Sequence, residues 1–401
     1  MMSSENKEDA GIYVSPAINL PTLGQLVTIS KDLGFQLTDE ELLQHRGGRI
    51  TGKSQCEDLT CDGSSFHSTP PVTNPADPTI SSGGSSSGSG ALVANGQVDL
   101  AVGADTAGSI RVPASWCGIV GFKPTYGLVP CSGACSLDPS LDHIGPMART
   151  VDDCALLLEV LVGYDGFDST TLSDRPVQEY SRLCKEGFEG CESDVEQVVK
   201  TTADMLRNAG ATVEDISLPM HKDAMPLFHA LTEGIYIQSF YGGSMGKSFY
   251  PNSITDHYRK AIKTRPFDLP ITRQANALWC EFTKRFYDGK FYGKAQNLCK
   301  ALTDEYNRAL EKVDVLIMPT CHYKAPKLPT ASLDDVNELL TEAFSMLKNT
   351  VASNCTGHPS ISVNAGYSEG LPVGALITGR HHEDASVLRV AKSLESGPRP
   401  L

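Results

Sequence analysis

The pattern of apolar and polar positions predicts helices at three places in the chain. Two short helices are expected within residues 1–50, where leucines recur at helical spacing and a capping box follows Thr38. A longer helix is expected behind the capping box at Ser193, with valines and a leucine on one face as far as Gly210, a residue type that suits the end of a helix. A closing helix is expected over 384–394.

Short apolar runs bounded by turn residues predict strands between these helices. The runs lie at 98–103, 211–218, 313–318, 360–363 and 373–377. The run at 313–318 is almost entirely apolar and is stopped by Pro319, a pattern that suits a central parallel strand. Because helices and strands alternate along most of the chain, we predict an α/β protein.

Composition and charge narrow the function classes. The chain has 401 residues and a net charge of −14, which disfavours a nucleic-acid partner. No apolar run approaches the ~20 residues of a membrane span, and the polar N-terminus does not resemble a secretory signal, so we expect a cytoplasmic protein without a membrane partner. The 12 cysteines are then expected as reduced thiols, and because they form no CxxC pair, no metal site is expected.

A stretch rich in serine and glycine at 63–90 could be a linker, but it leads directly into strand and turn signals. Its last part, Gly83–Gly90, reads GGSSSGSG. It matches neither common phosphate-binding motif. It contains G-x-S-x-G at Gly84–Gly88, yet the nucleophile elbow that this motif marks in hydrolases needs a strand directly before it, and Asn-Pro precedes it here.

The same stretch begins a longer pattern, GGSSSGSGALVANGQVDLAVGADTAGSIRVPASWCGIVGFKPTYGLVP, which starts at Gly83. Further blocks follow: LDHIGPMARTVDD at 141–153, DVLIMPT at 314–320, and TGHPSISVNAG…GLPVGALITGR at 356–380. Together these blocks resemble the amidase signature family, and most closely its bacterial enantioselective amidases. The resemblance implies one large α/β domain over 51–401, with a central mixed β-sheet flanked by helices, after an N-terminal helical segment at 1–50.

The resemblance also implies a catalytic triad of serine, serine in a cis peptide bond, and lysine. The nucleophile falls on Ser109 and the relay serine on Ser85. A serine hydroxyl needs a base before it attacks a carbonyl, and backbone N–H groups can stabilise the resulting oxyanion. The implied oxyanion-hole and substrate-binding residues are Thr106, Ala107, Gly108 and Ser86, with Ser86 expected to support the loop by hydrogen bonding.

The triad lysine has no counterpart in this sequence. The only lysines before Ser85 are Lys7, Lys31 and Lys53, and none follows an apolar strand as the family pattern requires. The N-terminal part of the amidase-signature domain is therefore expected to be incomplete, and the loss of a general base lowers a rate by roughly 100–10,000-fold. Lys123 matches a family lysine that is not the triad base.

Two charged residues beside the expected nucleophile are predicted to be structural. Asp105 and Arg111 are expected to form a buried pair or to anchor the loop that contains Ser109.

The function implied is hydrolysis of a carboxylic amide to an acid and ammonia or an amine, through an acyl-enzyme on Ser109. No cofactor is needed, the expected partner is a small-molecule amide, and a homodimer is left open. The alternatives are a non-catalytic binding protein, a glutaminase-type subunit of a tRNA-dependent amidotransferase, and an esterase that would use His143, His322 or His358. Aromatic residues that hint at an apolar acyl pocket within 163–322 are Phe228, Tyr236, Phe240, Tyr241 and Trp279.

Overall fold

A computed structural model of the chain describes residues 49–57, 65, 70–165, 168, 170, 183–184, 186–208, 210–236, 252–328 and 344–395. The two helices predicted within residues 1–50 lie outside the described residues.

Helices and strands alternate along the described chain, as the sequence predicts. In chain order the elements are α1 (Ser87–Ala94), β1 (Leu100–Asp105), α2 (Arg111–Cys117), β2 (Val120–Lys123), β3 (His143–Ala148), α3 (Val151–Leu161), β4 (Leu183–Cys184), α4 (Ser193–Asn208), β5 (Asp215–Ile216), α5 (Ala224–Tyr236), α6 (Asn252–Thr264), α7 (Ile271–Tyr287), α8 (Lys290–Leu310), β6 (Val315–Pro319), α9 (Val351–Thr356), β7 (Ser360–Ser368), β8 (Leu371–Gly379) and α10 (Asp384–Glu395).

Local sequence signals set several of these boundaries. Thr150 caps α3, because its side-chain oxygen accepts a hydrogen bond from the backbone N–H of Asp153 at 3.1 Å. Gly118 ends α2 with a φ of 71°, a left-handed conformation that glycine adopts without steric cost. The predicted helix behind Ser193 is confirmed as α4, and Gly210 follows its end with a φ of 98°.

The strands form a six-stranded sheet in the order β1-β3-β2-β7-β8-β6 and a small sheet of β4 and β5. The five adjacent pairs of the larger sheet are antiparallel, whereas β4 and β5 pair in parallel. The described strands therefore pair in both senses and are flanked by helices, which confirms the predicted α/β architecture.

The prediction of a central parallel strand at 313–318 is wrong. β6 is the last strand of the described six-stranded sheet and runs antiparallel to β8, with Leu316 opposite Thr378. It is apolar throughout because both of its faces are covered. Leu316 and Met318 pack in one hydrophobic core, and Val315 and Ile317 pack in the other. A strand covered on both faces has the same apolar pattern at an edge as in the middle of a sheet.

Two hydrophobic cores therefore lie on the two sides of the sheet. One is formed mainly with α2, α5, α8 and α9, and the other with α3, α4 and α10. The predicted strands at 360–363 and 373–377 are confirmed as parts of the longer β7 and β8, and the predicted closing helix is confirmed as α10. Within the described residues, no helix is long and apolar enough to cross a membrane.

Two of the predicted strands differ from the observed ones. The strand predicted at 98–103 is observed two residues later, as β1. The strand predicted at 211–218 is reduced to the two residues of β5, because this segment is largely exposed and pairs only with the short β4.

The close contact between β2 and β3 predicts a large difference between two identical substitutions. A Cβ atom added at Gly145 in β3 would lie 2.1 Å from the backbone oxygen of Phe122, so Gly145→Ala should lower the free energy of unfolding by about 1–3 kcal/mol or more. Gly293 lies on α8 with nothing within 4 Å of an added Cβ, so Gly293→Ala should raise that free energy by roughly 0.5–1 kcal/mol. Urea unfolding of both variants measures the difference. Equal effects would contradict the described packing of β2 on β3.

Candidate active site

The serine-rich segment is part of the protein interior. Every residue from Gly83 to Gly90 is buried, and α1 begins within the segment at Ser87. A short upstream stretch packs against it: the backbone N–H of Gly88 donates to the Gln55 carbonyl at 2.9 Å, and the N–H of Glu57 donates to the Ser85 carbonyl at 3.0 Å. A Cβ at position 88 would lie 2.5 Å from the Gln55 oxygen, so this contact requires a glycine. The segment is therefore not a flexible linker.

Ser85 is buried in this segment, and the Gly84–Ser85 peptide bond is cis. Its hydroxyl oxygen has no hydrogen-bond partner among the described residues. The neighbouring Ser86 connects the segment to the rest of the site. Its backbone N–H donates to the Ser109 carbonyl at 3.2 Å, and its hydroxyl contacts both the N–H and the carbonyl of Ala104 at 3.2 Å. The loops that contain Ser85 and Ser109 are thus joined directly.

Ser109 lies in a tight turn between β1 and α2. Its residue is 8% exposed, and its hydroxyl makes no hydrogen bond with a described residue. Within the same part of the chain, the backbone N–H groups of Ala107, Gly108 and Ser109 also donate to no described acceptor. Consecutive N–H groups without a described acceptor beside a serine hydroxyl are the kind of donors that can stabilise a developing oxyanion.

Thr350 fixes the shape of this turn from outside it. The Thr350 hydroxyl donates to the carbonyl of Ala107 at 2.6 Å. A Cβ at position 108 would lie 2.3 Å from the Thr350 oxygen, and Gly108 has a φ of 145°, so both the space and the backbone require glycine. Thr350 was not predicted from the sequence, because it lies 241 residues after Ser109 and outside the signature motifs.

Asp105 and Arg111 enclose the turn as a buried ion pair. The Nη2 atom of Arg111 lies 2.8 Å from Oδ1 of Asp105, and its Nε atom lies 3.0 Å from Oδ2. Burial alone would raise the pKa of Asp105, but the adjacent guanidinium outweighs it and holds that pKa below its ordinary value. The prediction that these two residues form a structural pair is confirmed.

The remaining donors of Arg111 are used by α9 and by the residues beside it. They bind the Thr350 carbonyl, the hydroxyls of Ser353 and Ser360, and the side-chain oxygen of Asn354, at 2.6–2.9 Å. Each nitrogen of the Arg111 guanidinium therefore donates to an acceptor of the protein.

Asp142 contacts the turn on its other side, and no role was predicted for it from the sequence. It accepts a hydrogen bond from the Thr106 hydroxyl at 2.7 Å and further bonds from Ser136, Leu137 and Asp138. Burial raises its pKa to about 6. The sequence signal that could have identified Asp142 is its position between Leu141 and His143, within the signature block at 141–153.

Lys123 is buried completely at the end of β2, and burial lowers its pKa well below the ordinary value, with a further contribution from Arg111. Its Nζ atom donates to the Pro124 carbonyl at 3.1 Å. Lys53 is exposed, and Lys7 and Lys31 lie outside the described residues. Within the described part of the chain, no lysine is hydrogen-bonded to Ser85.

Two of the three histidines considered for an esterase are hydrogen-bonded to groups other than Ser109. His143 contacts the Leu141 carbonyl at 2.7 Å, and His358 contacts Thr356 and Asn307. Burial lowers the pKa of His322 to about 4. Among the described residues none of them hydrogen-bonds to Ser109, and no cluster of histidine, cysteine and carboxylate side chains could bind a metal ion.

The aromatic residues expected to line an acyl pocket are in different environments. Phe228 packs inside a hydrophobic core, whereas Trp279 is about half exposed on α7. Phe240 and Tyr241 lie outside the described residues, as does the side chain of Tyr236.

Comparison with known proteins gives one consistent family. The family model named Amidase matches residues 40–388. An enantioselective amidase from Rhodococcus rhodochrous is 39% identical over 86% of this chain and 70% of its own length. A glutamyl-tRNA(Gln) amidotransferase subunit from Thermoanaerobacter pseudethanolicus is 33% identical over 98% of this chain and 84% of its own length.

Solved structures agree with this result. A glutamyl-tRNA(Gln) amidotransferase subunit from Thermotoga maritima superposes with a TM-score of 0.71 at 30% identity and covers 88% of this chain and 74% of its own. A bacterial aryl acylamidase of the amidase signature family superposes with a TM-score of 0.69 at 25% identity, over 85% of this chain and 71% of its own.

The buried pair predicts a large loss of stability when its cation is removed. Arg111→Met should lower the free energy of unfolding by about 3–5 kcal/mol, because it leaves the Asp105 carboxylate buried without a compensating charge. Arg207→Met is the matched control, since Arg207 and Asp204 form an exposed ion pair, and it should change that free energy by less than about 1 kcal/mol. Chemical denaturation measures both, and similar losses in the two variants would contradict the structural role of Arg111.

Lys123 predicts a specific pH dependence of stability. Because its pKa is lower in the folded chain than in the unfolded chain, the unfolded chain binds more protons between those two values. The free energy of unfolding should therefore rise with pH in that range, by at most about 1.4 kcal/mol per pH unit. In Lys123→Met this contribution is absent, so the wild type should gain stability relative to the variant as the pH rises toward the ordinary pKa of lysine. A difference between the two proteins that does not change with pH would contradict the prediction; the exposed Lys300→Met is the control.

Proposed function

Because the chain belongs to the amidase signature family, we propose that it hydrolyses a small carboxylic amide through an acyl-enzyme on Ser109. The observation that carries the proposal is that two serine hydroxyls on joined loops both lack a hydrogen-bond partner among the described residues. Ser85 and Ser109 lie on loops that are joined by the bond from the Ser86 N–H to the Ser109 carbonyl. The N–H groups of Ala107, Gly108 and Ser109, which have no acceptor among the described residues, support the same assignment.

The proposed reaction has two steps at this site. In the first, the Ser109 oxygen attacks the amide carbonyl carbon and its proton passes to Ser85, whose hydroxyl has to come within hydrogen-bond distance of Ser109 for this transfer. The carbonyl oxygen gains negative charge beside the N–H groups of Ala107, Gly108 and Ser109. The C–N bond then breaks, and the nitrogen takes up the proton that Ser109 released and leaves as ammonia or an amine. In the second step, water attacks the carbonyl carbon of the ester on Ser109, the bond from that carbon to the Ser109 oxygen breaks, and a proton from the water returns to the Ser109 oxygen as the carboxylic acid leaves.

The proton that reaches Ser85 needs a further acceptor, and no described lysine is bonded to that hydroxyl. We expect acylation to be slow as a result, because a positioned general base contributes roughly 100–10,000-fold to the rate. This same observation supports the alternative of a non-catalytic amidase-like binding protein, which would bind an amide and release no product.

A glutaminase-type subunit is the second candidate function. It is supported by relatives named as glutamyl-tRNA(Gln) amidotransferase subunits, one of which aligns with 98% of this chain. Such a protein would release ammonia from glutamine and would associate with partner subunits. The expected cytoplasmic location and a homodimer stay predictions.

Reaction with a serine-directed fluorophosphonate tests the nucleophile. We expect one adduct by intact mass, mapped to Ser109 by peptide analysis, and at least a 100-fold slower reaction in Ser85→Ala. Ser109→Ala should give no adduct. Ser87→Ala is the control in the same segment, since the Ser87 hydroxyl also lacks a partner among the described residues but is assigned no role.

Thermal melts must show that each variant is folded, because an unfolded sample would not test the site. A folded wild type without an adduct would contradict the proposal and favour the binding protein. If an adduct forms, ammonia release from glutamine compared with simple aliphatic and aryl amides separates the two enzymatic candidates. Release from glutamine alone would favour the role in an amidotransferase.

A further inference from the structure

A cavity lies between helices α5, α7 and α8, and the loops of the candidate active site do not line it. Its volume is about 680 Å³, within the range of about 300–1,000 Å³ that is typical of small-molecule sites. Apolar side chains line most of it, among them Leu227, Trp279, Phe291, Leu298 and Phe344. None of its lining residues belongs to 83–90 or 105–111.

The cavity opens at the protein surface next to an exposed apolar strip on α7. The strip contains Leu278, Trp279, Phe282 and Phe286, of which Leu278 and Phe286 are 74% and 70% exposed. Trp279 belongs both to the strip and to the cavity lining, and Leu298 lines the cavity while remaining 39% exposed. An apolar molecule can therefore reach the cavity directly from solvent.

The polar side chains that line the cavity include one charged group that could pair with a ligand. The Thr232 hydroxyl already donates to the His229 carbonyl at 2.7 Å, and burial lowers the pKa of His229, so this imidazole is neutral near pH 7. Among the described residues that line the cavity, Lys294 is the one with a charged side chain. It is exposed on α8 and, within the described residues, forms no ion pair. An ammonium at the mouth of an apolar cavity matches a ligand with an apolar body and an anionic end.

We propose that this cavity binds a small amphipathic carboxylate, with its apolar chain between α5, α7 and α8 and its carboxylate at Lys294. The net charge of −14 repels anions from the protein as a whole, so the attraction has to come from Lys294 itself. The proposal does not rest on the proposed hydrolysis, and its test measures binding alone.

Trp279 provides the measurement. The chain has two tryptophans, and the other, Trp116, is completely buried. Titration with octanoate should shift Trp279 emission and saturate. Octylammonium, which has the same chain and the opposite charge, should bind roughly tenfold more weakly, since attraction and repulsion by one exposed ammonium are each worth about threefold. In Trp279→Phe the emission change should disappear.

Two pairs of variants test the position of the ligand. Lys294→Glu should reverse the preference between octanoate and octylammonium, whereas Lys300→Glu, on the same helix but outside the lining, should leave it unchanged. Ala275→Leu adds volume inside the cavity and should weaken octanoate binding about tenfold or more, whereas Ala277→Leu, outside the lining on α7, should not.

Several results would overturn the proposal. These are no saturable change, equal binding of the two ligands, or equal effects within either pair of variants. A fourth is emission that shifts with protein concentration alone and a dimer in sedimentation, which would assign the strip to a second copy of the chain. Because Lys294 is exposed, its variant should fold even if Ala275→Leu does not.

Discussion

One buried cation, the guanidinium of Arg111, determines how the elements around the candidate site are arranged. Its partners come from the end of β1, from α9 and from the first residue of β7, so three separate parts of the chain meet at one charged group. Taking an ion pair out of water is costly, and the cost is offset only when every donor finds a partner. That condition is met here. The turn with Ser109 lies between Asp105 and Arg111 in sequence, so the two ends of the turn are fixed by the same pair.

The composition of the serine-rich segment alone suggests a flexible linker, although residues 83–90 are buried. Small residues occur in both kinds of structure. In a linker they leave the backbone free, whereas in a buried segment they allow backbones to approach closely. At Gly83 a Cβ would lie 2.8 Å from the Cα of Pro113, and at Gly103 it would lie 2.9 Å from the Ser86 hydroxyl oxygen. The serine hydroxyls then replace water as hydrogen-bond partners for the β1 backbone: Ser86 bonds to Ala104 and Ser89 to Val102.

Elements with a complete local pattern could be predicted from the sequence. The capping box, apolar face and terminal glycine of α4 lie within one segment, and the signals for β7, β8 and α10 are equally local.

The features that could not be predicted from the sequence depend on residues that are distant along the chain. The apolar pattern of β6 does not indicate which strand pairs with it, and it is the pairing with β8 that sets the position of β6 in the described sheet. Thr350 and Asn354 contact the turn from more than 240 residues away, and a single sequence contains no record of such contacts. Phe228 and Trp279 are both aromatic, yet one packs in the core and the other lines the surface cavity, because neighbouring helices cover only one of them.

The structural support of the turn is separate from the proton transfer that would make it catalytic. The contacts that shape residues 105–111 come from Ser86, Thr350, Asn354, Asp142 and the pair itself, and none of these groups lies upstream of the serine-rich segment. A lysine bonded to Ser85 would remove a proton, but the described contacts around the turn do not include it. It follows that a chain can retain the fold, the close glycine contacts and the free N–H groups whether or not it has a base for Ser85. The amidase fold is therefore evidence for what the site can bind and orient. Turnover depends in addition on a base that accepts a proton from the Ser85 hydroxyl.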